Sequence, residues 1–442
     1  MTNSLIPYFS IALLRILAAL NTNVRLLKKA MNLLQIVNEI IELAETGDFG
    51  ERIDVSSYKT FGSGDYAINF VNENNLKYID AILRAFNSDE EIKNTYTLER
   101  YESLLIKHFR EFFAKKCLAK EPDVSSFLKK LEAESIKTFS VFRDIHGIVL
   151  NSPTSPLLLG GYTIYEFASQ KEFIESIFES KTNSSSQLIC FKDNPEYLIE
   201  WKAEARHSEK ALEIADEHFE RFELILRYLI GSVTNHFEVG VLNYQGWRHR
   251  KAYILSDMGE VSSSLSNHGP IEQISLDNPY FVNEDNGYHT VWGFTTKKNL
   301  NKFQKRIMLA VEWIGQSMAD PSPQSAFIKA AIALEIIFTY NEREIITPSI
   351  MNQMSESIAL ILRSSVDERL KMESKVKKMY GLRSKIVHSG NKDISQADYQ
   401  TLLEIARHVI IKILTSDKLN SVDSVEDLYT ILKKIKYSGD AI

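Results

Sequence analysis

"KFQKRIMLAVEWIGQSMADPSPQSAFIKAAIALEIIF", residues 302–338, decides how the C-terminal third of the chain folds. Phe303, Ile307, Val311, Ile314 and Met318 recur at three- and four-residue intervals, which places them on one face of an α-helix. "DPSPQ" at 320–324 ends that helix, because a proline inside a helix removes a backbone donor, whereas one at the first turn is tolerated and opens the next. Phe327, Ala331, Leu334 and Phe338 then line a second helix. Two helices joined by so short a connection pack side by side and antiparallel. Further helices are expected over Ser349–Arg363, Val366–Tyr380 and Ser395–Thr415, so residues 299–442 are expected to form an all-α bundle.

Upstream the texture differs. From about Ser135, "TFSVFRDIHGIVLNSPTSPLLLGGYTIYEF" combines short apolar runs, turn dipeptides and β-branched residues. "EYLIEWKAEARH" alternates Ile199, Trp201, Ala203 and Ala205 with Glu200, Lys202 and Glu204, the period of a half-buried strand. A long amphipathic helix follows, with Ala211, Ala215, Phe219, Phe222, Leu226 and Leu229 on one face. "HFEVGVLNYQGWRHRKAYILSD" then predicts a β-hairpin turning near Asn243 to Gly246. Residues 135–298 are therefore expected to form a mixed α+β domain, read as a sensor or regulatory part.

Residues 1–134 are expected to be mainly helical, from the spacing of Leu26, Leu33, Val37, Ile40 and Ile41 and of Tyr101, Leu104, Leu105, Phe109, Phe112 and Phe113. The glycines of "KTFGSGDYAINF" (59–70) lack the lysine and serine of a phosphate-binding loop and no strand clearly precedes them, so a plain turn is expected. "SLIPYFSIALLRILAAL" (4–20) is interrupted by Arg15 and falls short of the roughly 20 residues of a spanning helix, so a packed helix is expected and a membrane role is not. The fold class is thus α+β and multidomain.

The chain has 442 residues, 44% of them hydrophobic and 25% charged, a globular composition with room for two or three domains. A net charge of -6 confines any nucleic-acid contact to a local basic patch. Cys117 and Cys190, the only two cysteines, have no metal-ligand spacing, which fits a reducing, cytoplasmic setting with neither disulfide framework nor zinc site. No metal or other cofactor is expected.

The local patch is "YGLRSKIVHSGNK", residues 380–392, with Lys371, Lys375, Lys377, Lys378, Lys385 and Lys392 in and before it. Arginine offers a planar fork of donors to a phosphate, and histidine moves protons near neutral pH. Arg383 and His388 together suit cleavage of RNA, whose own 2'-hydroxyl is the attacking group, without a metal. By itself Arg-x4-His is weak, since about one such match at similar spacings arises by chance in a chain of this length. Five residues on a straight helix also set the two side chains about 140° apart. Gly381 is expected to end or bend the preceding helix and so let Arg383 turn toward His388. One histidine does not serve as acid and base at once, so a two-fold homodimer bringing both copies into one cleft is expected. "WRHRK" (247–251), with Trp247, Arg248 and Arg250, interleaves aromatic and basic residues as RNA-stacking surfaces do.

The segment from about 303 to 415 resembles the ApeA-like branch of the HEPN superfamily, helical domains named for nucleotide binding in higher eukaryotes and prokaryotes. The likeness lies in "AVEWIGQSM", in "SAFIKAAIALEIIF" with its ALE followed by an aromatic residue, and in "MYGLRSKIVHSG". The family's arginine and histidine fall on Arg383 and His388, and its ALE glutamate on Glu335, with Ser384 where the family often has Asn, Asp or His. Ser389 also intervenes before Gly390, where the family's histidine is often followed at once by glycine. The resemblance implies a metal-independent, dimeric endoribonuclease, often the toxic effector of an antiphage or abortive-infection system, answering to a regulatory partner or phage-derived trigger. Catalysis is then expected at Arg383 and His388, support from Ser384 and Glu335, and RNA contact at Lys375, Lys378, Lys385, Lys392, Trp247, Arg248 and Arg250. The competing expectations are a non-catalytic RNA- or nucleotide-binding and dimerisation module, and the toxin half of a toxin-antitoxin pair.

Overall fold

The computed structural model describes residues 29–47, 58–63, 67–152, 155–179, 195–231, 238–246, 248–255, 261–268, 272–339, 348–389 and 394–439. The helix expected at residues 4–20 and Cys190 lie outside them. The protein is mixed α+β, and the chain divides into two compact units, Met1–Phe139 with Lys202–Ile214, and Ser140–Trp201 with Ala215–Ile442.

In the first unit, helix α1 covers 29–43. Strands β1 (Glu45–Thr46), β2 (Tyr58–Phe61) and β3 (Ile68–Val71) form an antiparallel sheet in the order β1-β3-β2. Helices α2 (Glu73–Asn87), α3 (Glu90–Thr95), α4 (Leu98–His108), α5 (Arg110–Lys115) and α6 (Glu121–Ala133) complete it. A strand, β2, thus precedes the glycines after all and pairs antiparallel with β3, Phe61 opposite Ile68; residues 64–66 between them lie outside the described residues. Four residues with one half-buried face are too short a run for their period to stand out in the sequence. The sheet is fixed to the helices through Phe70, stacked on Tyr78 at 3.8 Å, and through the buried Glu102, which accepts from the Tyr78 hydroxyl at 2.7 Å and from Lys59 at 2.6 Å.

The middle of the chain supplies β4 (Lys137–Asp144), β5 (Ile148–Val149), β6 (Leu157–Leu159), β7 (Tyr162–Glu166), α7 (Phe167–Glu179), β8 (Tyr197–Ala205) and α8 (Ser208–Ile230). Four of the strands form a sheet in the order β4-β8-β7-β6, with β6–β7 and β7–β8 antiparallel. The alternation that marked β8 holds for Ile199, Ala203 and Ala205, but Glu200 is buried too and accepts from the Tyr165 hydroxyl at 2.6 Å. Burial of Leu198 with Tyr165, Phe167 and Ile174 covers that second face of the strand.

Among the described residues, the expected hairpin around Asn243–Gly246 is not formed. Strand β9 (Arg248–Leu255) pairs instead with β10 (Val261–His268), antiparallel, with Val261 opposite Leu255. Residues 241–243 wrap a buried carboxylate: Glu223 Oε1 accepts from the amides of Val241, Leu242 and Asn243 at 2.6, 2.7 and 3.1 Å, and Oε2 from Asn243 Nδ2 at 2.8 Å. That long-range anchor replaces the ladder bonds a turn at this place requires.

A short strand β11 (Ile274–Ser275), parallel to β5, and a 3₁₀ turn at Pro279–Val282 lead into the C-terminal helices. These are α9 (Tyr288–Thr296), α10 (Lys302–Ala319), α11 (Pro323–Phe338), α12 (Pro348–Leu362), α13 (Val366–Ser389), α14 (Gln396–Thr415) and α15 (Val425–Ser438). Asn301 and Gln304 cap α10 reciprocally, and Ser322 with Pro323 at the first turn opens α11. Ser317, buried in α10, donates to the Ala326 carbonyl at 2.6 Å and lies 3.1 Å from the Tyr399 hydroxyl, tying α10, α11 and α14 together. One continuous core joins this bundle to the middle sheet, from Ile148, Tyr162 and Ile199 through Phe219 and Phe222 to Val311, Leu334 and Ile410.

Candidate functional site

Helix α11 packs against α10, α13 and α14, with Phe327, Ala330, Leu334, Ile337 and Phe338 all buried. Glu335 is carried on the same helix, its side chain 14% exposed. Helix α13 lies along it: the buried Tyr380 donates its hydroxyl to the Ala331 carbonyl at 3.1 Å, and one turn later Arg383 meets Glu335. The structure thus brings two of the expected site residues, Arg383 and Glu335, into direct contact.

The contact is imperfect. Arg383 Nε lies 3.2 Å from Glu335 Oε1 without hydrogen-bond alignment, leaving both atoms buried and unpaired. The aligned bond, from Arg383 Nη2 to Oε2, is 3.4 Å long, beyond the roughly 2.7–2.9 Å of a strong charge-assisted bond. Burial pushes the Glu335 carboxyl above its ordinary range, and Arg383 offsets only part of that rise. A buried charge pair gains most when every lone pair and proton is met, and this one falls short of that.

His388 is placed elsewhere. Helix α13 runs without interruption through Gly381, which is exposed and has open space where a side chain would project. The expected bend at Gly381 and the helix end at Tyr380 are both corrected: the helix continues to Ser389. Tyr380, Arg383 and Ile386 pack inward and supply the burial that keeps the helix going. On a straight helix His388 therefore points about 140° away from Arg383, and it is exposed. Within one chain the two residues do not share a site. Around the helix, the exposed His388, Gly381 and Ser384 fall on one face with the half-buried Lys377, which pairs with Glu373 at 2.6 Å.

Lys371, Lys375, Lys378 and Lys385 lie within about 80° of one another around α13 and form a basic stripe beside that face. Lys375 and Lys385 are exposed, and Lys378 reaches Asp398 at 3.3 Å, a surface pair of small worth. Lys392 and Trp247 lie outside the described residues; Arg248 and Arg250 occupy β9, opposite His268 and Ser266, with side chains outside the described set. His218 sits in an acidic stretch of α8, residues 216–220, but is not placed to ligate a metal. Its imidazole stacks on Trp201 at 3.7 Å, and burial, with Arg221 nearby, lowers its pKa to about 4. Among the described residues no group of His, Cys, Asp and Glu is placed to hold a metal ion, and no helix is long and apolar enough to cross a membrane.

Sequence reasoning passed over a cleft of about 430 Å³ between the end of α12, α13 and α14, lined among others by Arg363, Met372, Lys375, Glu404, Ile405 and His408. The signal was present on α14, where Thr401, Ile405, His408 and Lys412 follow helical spacing, but polar and apolar residues alternate there and no single property marks the face. No known protein family, curated protein or solved structure matches the chain.

Proposed function

We propose that the C-terminal helices act as a metal-independent endoribonuclease, working as a homodimer in an antiphage or abortive-infection response. The observation that carries this reading is an exposed imidazole, His388, five residues beyond an arginine whose guanidinium is only loosely engaged by Glu335. A loosely held guanidinium keeps donors for a phosphate and its developing charge. An exposed imidazole is free to take a proton from a 2'-hydroxyl or return one to the departing 5'-oxygen. The 2'-oxygen attacks phosphorus as its proton leaves, the bond to the 5'-oxygen breaks, and the products are a 2',3'-cyclic phosphate and a 5'-hydroxyl.

Separation of the two side chains around α13 is the reason to invoke a second copy. The face bearing His388 also bears Gly381 and Ser384, whose small side chains leave room for an identical helix across a two-fold axis. Two copies would set each His388 against its partner's arginine and supply acid and base together. Residues upstream of the bundle would then hold the activity until a trigger or partner binds. The test is cleavage of labelled RNA by the purified protein and its Arg383→Ala and His388→Ala variants. Each substitution is expected to lower the rate by about 100-fold or more; rates equal to wild type for both sink the assignment.

The same separation favours a second reading, a binding and dimerisation module that never cuts. In that case both variants lose RNA affinity while wild type yields no product.

A further inference from the structure

The cleft beside α13 combines three kinds of surface. Met372 and Ile405 are buried and form an apolar wall. Arg363 and Lys375 stand exposed on the lining, where Arg363 Nη1 donates to the neighbouring Leu362 carbonyl at 2.9 Å. On α14, His408 Nδ1 lies 2.7 Å from the Glu404 carbonyl oxygen, so Nδ1 carries the proton and Nε2 is left to meet a ligand. The Glu404 carboxylate is exposed on the same lining, as is Asp285.

Cations, carboxylates and an apolar wall together fit a nucleotide better than a bare phosphate. The phosphate meets Arg363 and Lys375, the flat base lies on Met372 and Ile405, and an amino group on the base edge donates to Glu404. The cleft's volume of about 430 Å³ falls in the range of small-ligand sites. From Lys375 the basic stripe continues through Lys378 and Lys385 toward His388. Lys375 and His388 are about 20 Å apart along the helix at 1.5 Å per residue. That distance is spanned by roughly six stacked nucleotides at about 3.4 Å each.

We propose that this cleft seats one nucleotide of an RNA strand that continues along α13 to His388, and so fixes where the strand is cut. The position of the cut rests on the ribonuclease reading; the seating of the nucleotide does not. A cytosine or adenine is favoured over uracil at the cleft, because uracil offers no exocyclic amino group to Glu404.

The experiment measures binding of the full-length protein to fluorescent 2'-O-methyl 12-mers, which have no free 2'-hydroxyl and stay intact. Lys375→Ala and Arg363→Ala are each expected to weaken binding about tenfold at low salt and to reduce the salt slope by about one. Glu404→Gln is expected to narrow the preference for oligo-C over oligo-U without weakening oligo-U. Unchanged affinity in both cation variants, with native thermal melts, overturns the proposal. So does cytidine monophosphate binding as tightly as the 12-mer, which would make the cleft a site for free nucleotides. Weakened binding by these variants, beside a wild type that never cleaves unmodified RNA, refutes the ribonuclease reading and leaves the nucleotide seat standing.

Discussion

Glu335 shows how one residue's surroundings set its behaviour. Its carboxyl is raised above the ordinary value of 4.5 by burial, only partly countered by Arg383. The folded chain therefore keeps a proton at pH values where the unfolded chain has lost it, and stability falls as pH rises from 4.5 through the folded-state pKa. Glu335→Gln has no such proton to lose. Wild type should accordingly gain stability relative to the variant as pH is lowered from 7 toward 4.5, measured by urea unfolding at each pH; parallel pH profiles for the two proteins contradict this account of the pair. The sequence singled out Arg383 and His388 by residue type, and Glu335 through the resemblance. Their mutual geometry was not legible, since it depends on whether α13 bends at Gly381, and a lone glycine inside a helix costs only about 1 kcal/mol.

At the scale of elements, the C-terminal hairpin of α10 and α11 was the most legible part. Its caps, prolines and apolar spacing all agree, so local preference and packing select the same structure. The segment around Asn243 failed the same test for a physical reason: its backbone donors are taken by Glu223, a residue far away in sequence, and no local pattern announces such an anchor. Helix α15 went unread, although Leu428, Leu432 and Ile435 are buried on it. A different glycine marks a close approach of two elements. In α10, a side chain on Gly315 would come within 2.3 Å of the Leu224 carbonyl oxygen of α8. Helix propensity alone favours alanine there by about 1 kcal/mol, but the approach of the backbones outweighs it. Gly315→Ala is expected to destabilise the protein by roughly 1–3 kcal/mol, read as a lower thermal midpoint. An equal or higher midpoint shows that α8 and α10 have room to separate.

At the scale of the molecule, the middle sheet and the C-terminal bundle share one core. The sequence marked a change of texture near residue 299, where strands give way to helices, but texture does not report whether two segments bury their apolar faces against each other. Core residues such as Phe222 and Val311 do, and they make α8 part of the support on which α10 and α11 rest. The proposed chemistry depends on that support, because α11 carries Glu335 against Arg383 of α13. A second copy is needed to complete it, since His388 lies on the far side of the same helix. The most direct test is to incubate the protein with RNA in EDTA and map the ends of any products. The account predicts fragments ending in 2',3'-cyclic phosphate and 5'-hydroxyl, made by wild type and absent with His388→Ala. Fragments bearing 5'-phosphates, or the same cyclic ends from the His388→Ala protein, would contradict it.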